Sequence, residues 1–322
     1  MRALITGGGG FVGQWLARAL LARGDEVILT GLGATLAGPN ILTRDERRHT
    51  RWMAADMRDA EDVELVVQRS RANVIVHLAG VSFPPDAERS PTTTYDVNAL
   101  GAVRLLSAVR RQQAAGLGDP TVLIVGSGMQ YGNHPLDAMP LTEQAEQRPT
   151  TTYAASKAAQ ELAALQVHAS AGVRVIVTRS FNHSGVGHGE QYLLPSLVMR
   201  ARRIAEGAEG RLVLGNDVVR DYLHVDDVVT AYLSLVDRGR PGEVYNVASG
   251  CGISVRQLAE AVLERAHVTA EITTDPSLTR AADIPLLIGS PTKLCAHTGW
   301  APTKTHGDII DDLLRFAHAS TD

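Results

Sequence analysis

Tyr153 and Lys157 stand four residues apart in Tyr153-Ala-Ala-Ser-Lys157. On a helix that spacing puts phenol and ammonium on one face, about 5 to 6 Å apart at Cβ. A free tyrosine titrates near 10 and is a poor acid or base at neutral pH, whereas a neighbouring cation favours the phenolate and is expected to lower that value. Chance is a poor source for the pair: seven tyrosines and three lysines in 322 residues give roughly 0.07 such coincidences. Only Lys157, Lys293 and Lys304 among the 31 basic residues are lysine, so Lys157 is the single lysine in the first 292 positions. Lysine offers a compact ammonium that can hold ribose hydroxyls and join a proton relay, which arginine does not. A third participant is expected at a strand end, and Val125-Gly-Ser-Gly-Met-Gln-Tyr-Gly132 supplies Ser127, whose hydroxyl can bond a substrate oxygen.

A second constellation opens the chain. Thr6-Gly-Gly-Gly-Gly-Phe-Val-Gly13 follows an apolar strand and leads into an amphipathic helix. Gly7, Gly10 and Gly13 have the spacing that lets backbone approach a pyrophosphate, with Phe11 and Val12 at the helix N-terminus. A dinucleotide fold that prefers NAD commonly carries an acid about 20 residues beyond such glycines. Here the second strand ends Leu29-Thr30-Gly31, so the barrier to a 2′-phosphate is missing and Arg44, Arg47 and Arg48 are available to supply charge. NADP(H) is therefore expected, with NAD(H) as the alternative. Asp56, after a third strand, is placed to contact adenine or to end the strand.

These groups need a scaffold. Ala3–Thr6, Glu26–Leu29, Asn73–His77, Thr121–Val125 and Val173–Thr178 read as buried parallel strands, and Val12–Leu21, Ala60–Arg69, Ala99–Arg111 and Thr152–His168 as the helices between them. The repeated βαβ pattern predicts an α/β Rossmann-type doubly wound parallel sheet. A dinucleotide-binding domain is expected over residues 1–178 with a return segment at 222–248, and a smaller interleaved lobe over 179–221 and 249–322. Hydrophobic content of 44%, net charge −4 and a pI near 6.3 argue against disorder and against nucleic-acid binding. No uncharged run is long enough for a membrane span. Cleavage of a signal peptide would remove the first strand, and two cysteines make no disulfide framework, so a cytoplasmic protein is expected. His183, His188 and His224 lack metal-ligand spacing and are read as polar or sugar contacts, and His77 as a satisfied core residue.

Together these residues resemble the extended short-chain dehydrogenase/reductases that act on nucleotide sugars. The glycine loop, His77-Leu78-Ala79-Gly80, Asn98, Ser127, Tyr153 and Lys157 carry the resemblance in the first half. Arg179-Ser-Phe-Asn-His183, Arg220-Asp-Tyr-Leu-His-Val-Asp-Asp227, Gly242-Glu-Val-Tyr-Asn-Val247 and Thr298-Gly-Trp300 carry it in the second. Within that group the chain is most similar to GDP-4-keto-6-deoxy-D-mannose reductases, then to GDP-mannose 4,6-dehydratases, through Phe-Asn-His and Arg280-Ala-Ala-Asp-Ile-Pro285 before Leu287-Ile-Gly289.

The resemblance implies a cofactor held by Gly7, Gly10, Phe11, Val12, Gly13, Thr30, Asp56, Met57, Leu78, Ala79, Gly80, Asn98, Tyr153 and Lys157. It implies a nucleotide diphosphate-sugar, GDP-linked by preference, bound by Ser127, Asn182, Arg220 and Arg280. A homodimer is also implied. In the family's dehydratases an acid stands two places after the catalytic hydroxyl, and in its 3,5-epimerases a cysteine stands at or beside that place. Met129 occupies it here, and a thioether exchanges no proton. Hydride-only chemistry remains, and the expectation is reduction of a C4 keto group, giving GDP-D-rhamnose. A C4 epimerase with retained NAD is the alternative, with a dehydratase or a non-catalytic cofactor-binding protein behind it.

Overall fold

The computed structural model describes residues 1–208, 210–275 and 284–319. The first half runs β1 (Arg2–Thr6), α1 (Phe11–Ala22), β2 (Glu26–Gly31), α2 (Arg44–Arg48), β3 (Thr50–Ala54), α3 (Ala60–Ser70), β4 (Val74–His77), α4 (Pro84–Arg89), α5 (Pro91–Tyr95), α6 (Gly101–Ala114), β5 (Thr121–Ser127), α7 (Thr152–Ala171) and β6 (Val175–Ser180). There follow β7 (Asn182–Ser184), α8 (Leu193–Ala205), β8 (Arg211–Leu214), β9 (Val219–His224), α9 (Val225–Arg238), β10 (Val244–Val247), β11 (Gly252–Ser254), α10 (Val255–Arg265), β12 (Glu271–Thr274), β13 (Leu286–Leu287), α11 (Thr292–Thr298) and α12 (His306–Ala319).

Seven parallel strands form the central sheet in the order β10-β6-β5-β4-β1-β2-β3. This is the expected Rossmann-type α/β fold. Strand order reverses between β1 and β4, and ligands of such sheets bind in the crevice beyond the carboxyl ends at that switch. Strand residues alternate between the two faces. Ile5 and Leu29 pack with Leu16, Leu20, Val228 and Tyr232 of α1 and α9. Their neighbours Leu4 and Ile28 pack on the opposite face with Val66, Leu105 and Val109 of α3 and α6. Both faces are dry, which is why β4, β5 and β6 read as nearly continuous apolar runs.

The helix expected over Ala99–Arg111 begins earlier. A π-helical turn at Asp96–Leu100 feeds directly into α6 and carries Asn98 into the interior. Such turns insert one extra residue and tend to mark functional positions. Arg104 secures it by donating to the Asp96 carboxylate at 2.8 Å and to Met57 O at 3.3 Å.

Beyond β6 the chain builds a small sheet from β7, β9, β11 and β13 and a parallel β8–β12 pair. Helices α8, α10 and α12 close a separate core around Leu197, Leu212, Leu258 and Ile310. Asp227, in the first turn of α9, ties the C-terminal segment down. Its buried carboxylate accepts from Thr303 N at 3.0 Å, Thr303 Oγ1 at 2.9 Å and Lys304 N at 2.9 Å. Removing the acceptor strands buried donors, so Asp227→Ala is expected to destabilise the fold by about 3 kcal/mol. Urea denaturation checks this, and a change below about 0.5 kcal/mol, the level of an ordinary surface substitution, would contradict it.

Candidate active site

The glycine loop lies at the switch point. A Cβ on Gly7 would come within 2.7 Å of Ala79 N, and one on Gly13 within 2.7 Å of Gly7 O. Only glycine lets loop, helix and the segment after β4 approach this closely, and Gly7 also has φ +67°. Gly10 caps α1 without a side chain, and the first turn carries no acid, so the helix start is left to an anion. Gln14 braces the loop by donating to Gly9 O at 3.0 Å and accepting from Ile41 N and Leu42 N at 3.2 and 3.3 Å. At the end of β2 the buried Thr30 Oγ1 has no protein partner. A cradle that side chains would fill and an unpaired hydroxyl beside it fit a dinucleotide.

Other residues expected at the cofactor sort themselves in space. Gly80 is forced by Asn98: a Cβ there would lie 2.8 Å from Asn98 Oδ1 and 3.6 Å from Lys157 Nζ. Asn98 donates to Val81 O and to Ser156 Oγ, at 3.1 and 2.9 Å, and accepts from Val81 N at 2.7 Å. Leu78 and Ala79 border Gly7. Met57 is buried against the start of α6, and Asp56 is held by Arg58, whose bonds keep its carboxyl below the ordinary range despite partial burial. Arg47 donates to Leu42 O and Asn40 Oδ1, so its guanidinium is engaged within its own segment.

Ser127, Tyr153 and Lys157 come together where α7 crosses the end of β5. Thr151 caps α7 by accepting from Ala154 N at 3.2 Å, which starts the helix just before Tyr153. The Tyr153 phenol lies beside the Ser127 side chain, and Ser127 Oγ accepts from Met129 N at 3.2 Å. Lys157 is 5% exposed and donates to Val125 O at 2.8 Å and Gln160 Oε1 at 2.9 Å.

The expected lowering of the phenol is corrected here. Burial pushes Tyr153 up to about 12, opposed by the Ser127 side chain and reinforced by nearby Tyr192. The Lys157 ammonium faces Val125 O rather than the phenol, and burial lowers it to about 8. Tyr153 is thus a firmly protonated donor. His77 is also corrected: Nδ1 bonds Thr6 Oγ1 at 2.7 Å, yet the buried Nε2 has no partner. Burial, then the Lys157 charge, lowers it to about 3, so the ring is neutral.

Several contacts here were not foreseen from the sequence. His188 stacks on Phe11 with centroids 4.7 Å apart and on Tyr192 at 4.1 Å, and Tyr192 meets Phe83 edge-on at 5.4 Å. Burial lowers His188 to about 3, which keeps it a neutral ring in this column. Asp221 is buried and accepts from Ser249 N, Ser249 Oγ and Gly250 N at 2.8, 2.6 and 3.0 Å, fixing the loop after β10. Asn182 begins β7, which pairs with the same strand β9 that carries Arg220. The Arg220 guanidinium donates to Val219 O at 2.9 Å. Arg280 lies outside the described residues.

Fold and site define an NAD(P)-dependent oxidoreductase of the extended short-chain dehydrogenase/reductase type. Within that class the chain belongs to the GDP-mannose 4,6 dehydratase family, whose model matches residues 4–313. It is 38% identical to the GDP-6-deoxy-D-mannose reductase of Pseudomonas aeruginosa over 75% of this chain and 79% of that one. The structure of RMD from Pseudomonas aeruginosa complexed with NADPH superposes with a TM-score of 0.82 at 31% identity, covering 99% and 100% of the two chains. That of the Thermus thermophilus UDP-glucose 4-epimerase complex with NAD gives 0.84 at 29%, again covering 99% and 100%.

A lysine lowered to about 8 is charged below that pH and loses its charge as pH rises through it. Affinity for the reduced nicotinamide cofactor is expected to be flat below about pH 7 and to weaken above about pH 8, with Lys157→Met weak and flat throughout. Fluorescence titration across pH reads this, and an unchanged pH dependence in the variant would contradict it.

Proposed function

We propose that this enzyme reduces the C4 keto group of GDP-4-keto-6-deoxy-D-mannose with NADPH, giving GDP-D-rhamnose. The observation that carries the reading is a buried Tyr153 phenol beside Ser127, with Met129 where proton-exchanging chemistry would need an acid. When bound, NADPH supplies the hydride. Ser127 holds the C4 oxygen by its hydroxyl, and Tyr153 donates a proton to that oxygen as it gains charge. A phenol that stays protonated throughout the working range is a proton donor, as reduction requires. Lys157 holds ribose hydroxyls, while Gly7, Gly10 and Gly13 admit the pyrophosphate to the amides of α1. Asn182, Arg220 and Arg280 are assigned to the sugar nucleotide, whose diphosphate suits arginine forks. The sugar lies between the domain of residues 1–178 with 222–248 and the lobe of residues 179–221 and 249–322.

One observation favours a second reading. Thr30 and Gly31 end β2 without a basic side chain, and Arg47 is bound within its own segment, so NAD can also be accommodated. An epimerase that oxidises and re-reduces C4 would keep NAD⁺ through purification, which extraction and chromatography detect.

Purified protein given GDP-4-keto-6-deoxy-D-mannose is expected to consume NADPH in stoichiometric amounts. Tyr153→Phe should bind NADPH normally and lose roughly 100-fold or more in kcat. No consumption with this and other 4-keto sugars would overturn the assignment.

We assign a homodimer joined through the face where Tyr95, Leu100, Val103 and Leu162 are exposed on α5, the π turn, α6 and α7. A charge there opposes association. Sedimentation is expected to show a dimer that Leu100→Arg dissociates; a monomeric parent would refute it. Among the described residues no helix is long and apolar enough to cross a membrane. Two unpaired cysteines suit the cytoplasm, where fractionation should find the protein; recovery in an extracytoplasmic fraction would refute that placement.

A further inference from the structure

Glu161 lies one helical turn beyond Lys157, continuing the face of α7 that carries Tyr153 and Lys157. It is 2% exposed and faces Arg179 of β6, which is 5% exposed. Arg179 donates through Nη2 to Glu161 Oε1 at 2.6 Å and through Nε to Oε2 at 3.0 Å. Two glutamines complete the shell: Gln147 Nε2 donates to Oε1 at 2.7 Å, and Gln130 Nε2 donates to Oε2 at 2.8 Å. Gln130 turns its other end toward the site, where Oε1 accepts from the backbone amide of Ser127 at 2.7 Å. A Cβ on Gly126 would lie 2.5 Å from that same oxygen and 2.5 Å from Thr178 O.

A buried ion pair is weak evidence for stability, since well-packed hydrocarbon often serves as well. What hydrocarbon cannot supply is direction. The Gln130 amide has an oxygen end and an NH₂ end of nearly equal size, and only the oxygen satisfies Ser127 N–H. A carboxylate accepts and never donates, so Glu161 draws the NH₂ end and leaves the oxygen pointing at Ser127. A neutral amide at position 161 would weaken that bias and turn an NH₂ group toward two of the four donors.

We propose that Glu161 is a positioning residue for the reduction: acting through Gln130, it fixes the turn that presents the Ser127 hydroxyl to Tyr153. Its kinetic consequence rests on the reductase reading, while its structural consequence does not. The same helix therefore sets both partners of the proton-donating pair, Tyr153 directly and Ser127 through the Glu161 carboxylate.

Two readouts on the intact enzyme test this. In Glu161→Gln, hydrogen exchange at the Ser127 amide should accelerate at least about tenfold while Ile5 in β1 stays protected. The variant's kcat should fall roughly 10- to 100-fold, as expected for a misplaced reacting group, with KM for NADPH within about twofold of the parent. Adding Ser127→Ala should cost almost nothing further, because both changes remove one function. Should Glu161→Gln fail to fold, Glu161→Asp keeps the charge beside Arg179, draws the carboxylate back from Gln130 and makes the same comparison. Unchanged exchange at Ser127 in a folded variant, or fully additive losses with Ser127→Ala, would overturn the proposal. Accelerated exchange in a protein whose parent turns over no 4-keto sugar would support the clamp and count against the reductase reading.

Discussion

The seating of helix α7 on the carboxyl end of strand β5 governs every distance at the reacting end of the sheet. Lys157 reaches back to Val125 O, one turn before it Tyr153 meets Ser127, and one turn after it Glu161 gathers Gln130 and Arg179. Three side chains at i, i+4 and i+8 on one helix thus contact consecutive parts of a single strand-to-turn segment. A shift of α7 along its axis would break all three contacts at once, so the geometry is shared rather than assembled residue by residue. The π turn that buries Asn98 adds a fourth point, because Asn98 holds Ser156 on the same helix and limits how close Gly80 can lie.

Protonation follows from this packing. Crossing a buried strand end places Tyr153 and Lys157 where the charged form of each is disfavoured, so the phenol rises to about 12 and the ammonium falls to about 8. The phenol is thereby kept in its proton-donating form, while Lys157 stays tied to Val125 O. Met129 bonds Ser127 through its backbone and offers no acid of its own, which confines the site to what Tyr153 and an incoming hydride can do.

Much of this was readable in the sequence because the signals were local. The parallel strands are nearly pure apolar runs, and Gly7 to Gly13 and Tyr153 to Lys157 are fixed by short-range geometry. What escaped depended on contacts between distant residues. The ammonium was expected to face the phenol, but a carbonyl of β5 32 residues earlier in the chain captures it. His188 and Tyr192 sit in a loop without periodicity, and the stacking of His188 between Phe11 and Tyr192 has no sequence signal. Glu161 was within reach, as the next member of the i, i+4 series from Tyr153, but its partners Gln130, Gln147 and Arg179 come from three other segments. The π turn was also invisible, since its residues satisfy an ordinary helical pattern.

The central claim is that this site moves a hydride to C4 and exchanges no carbon-bound proton. Reaction of GDP-4-keto-6-deoxy-D-mannose with NADPH deuterated at the transferable nicotinamide position, in ordinary water, and the converse experiment in deuterium oxide, test it directly by mass spectrometry and NMR of the product. The account predicts one deuterium at C4 from the cofactor and none at C3 or C5 from solvent beyond an enzyme-free control. Solvent deuterium incorporated at C3 or C5 by the enzyme, or a C4 hydrogen that does not come from the cofactor, would contradict it.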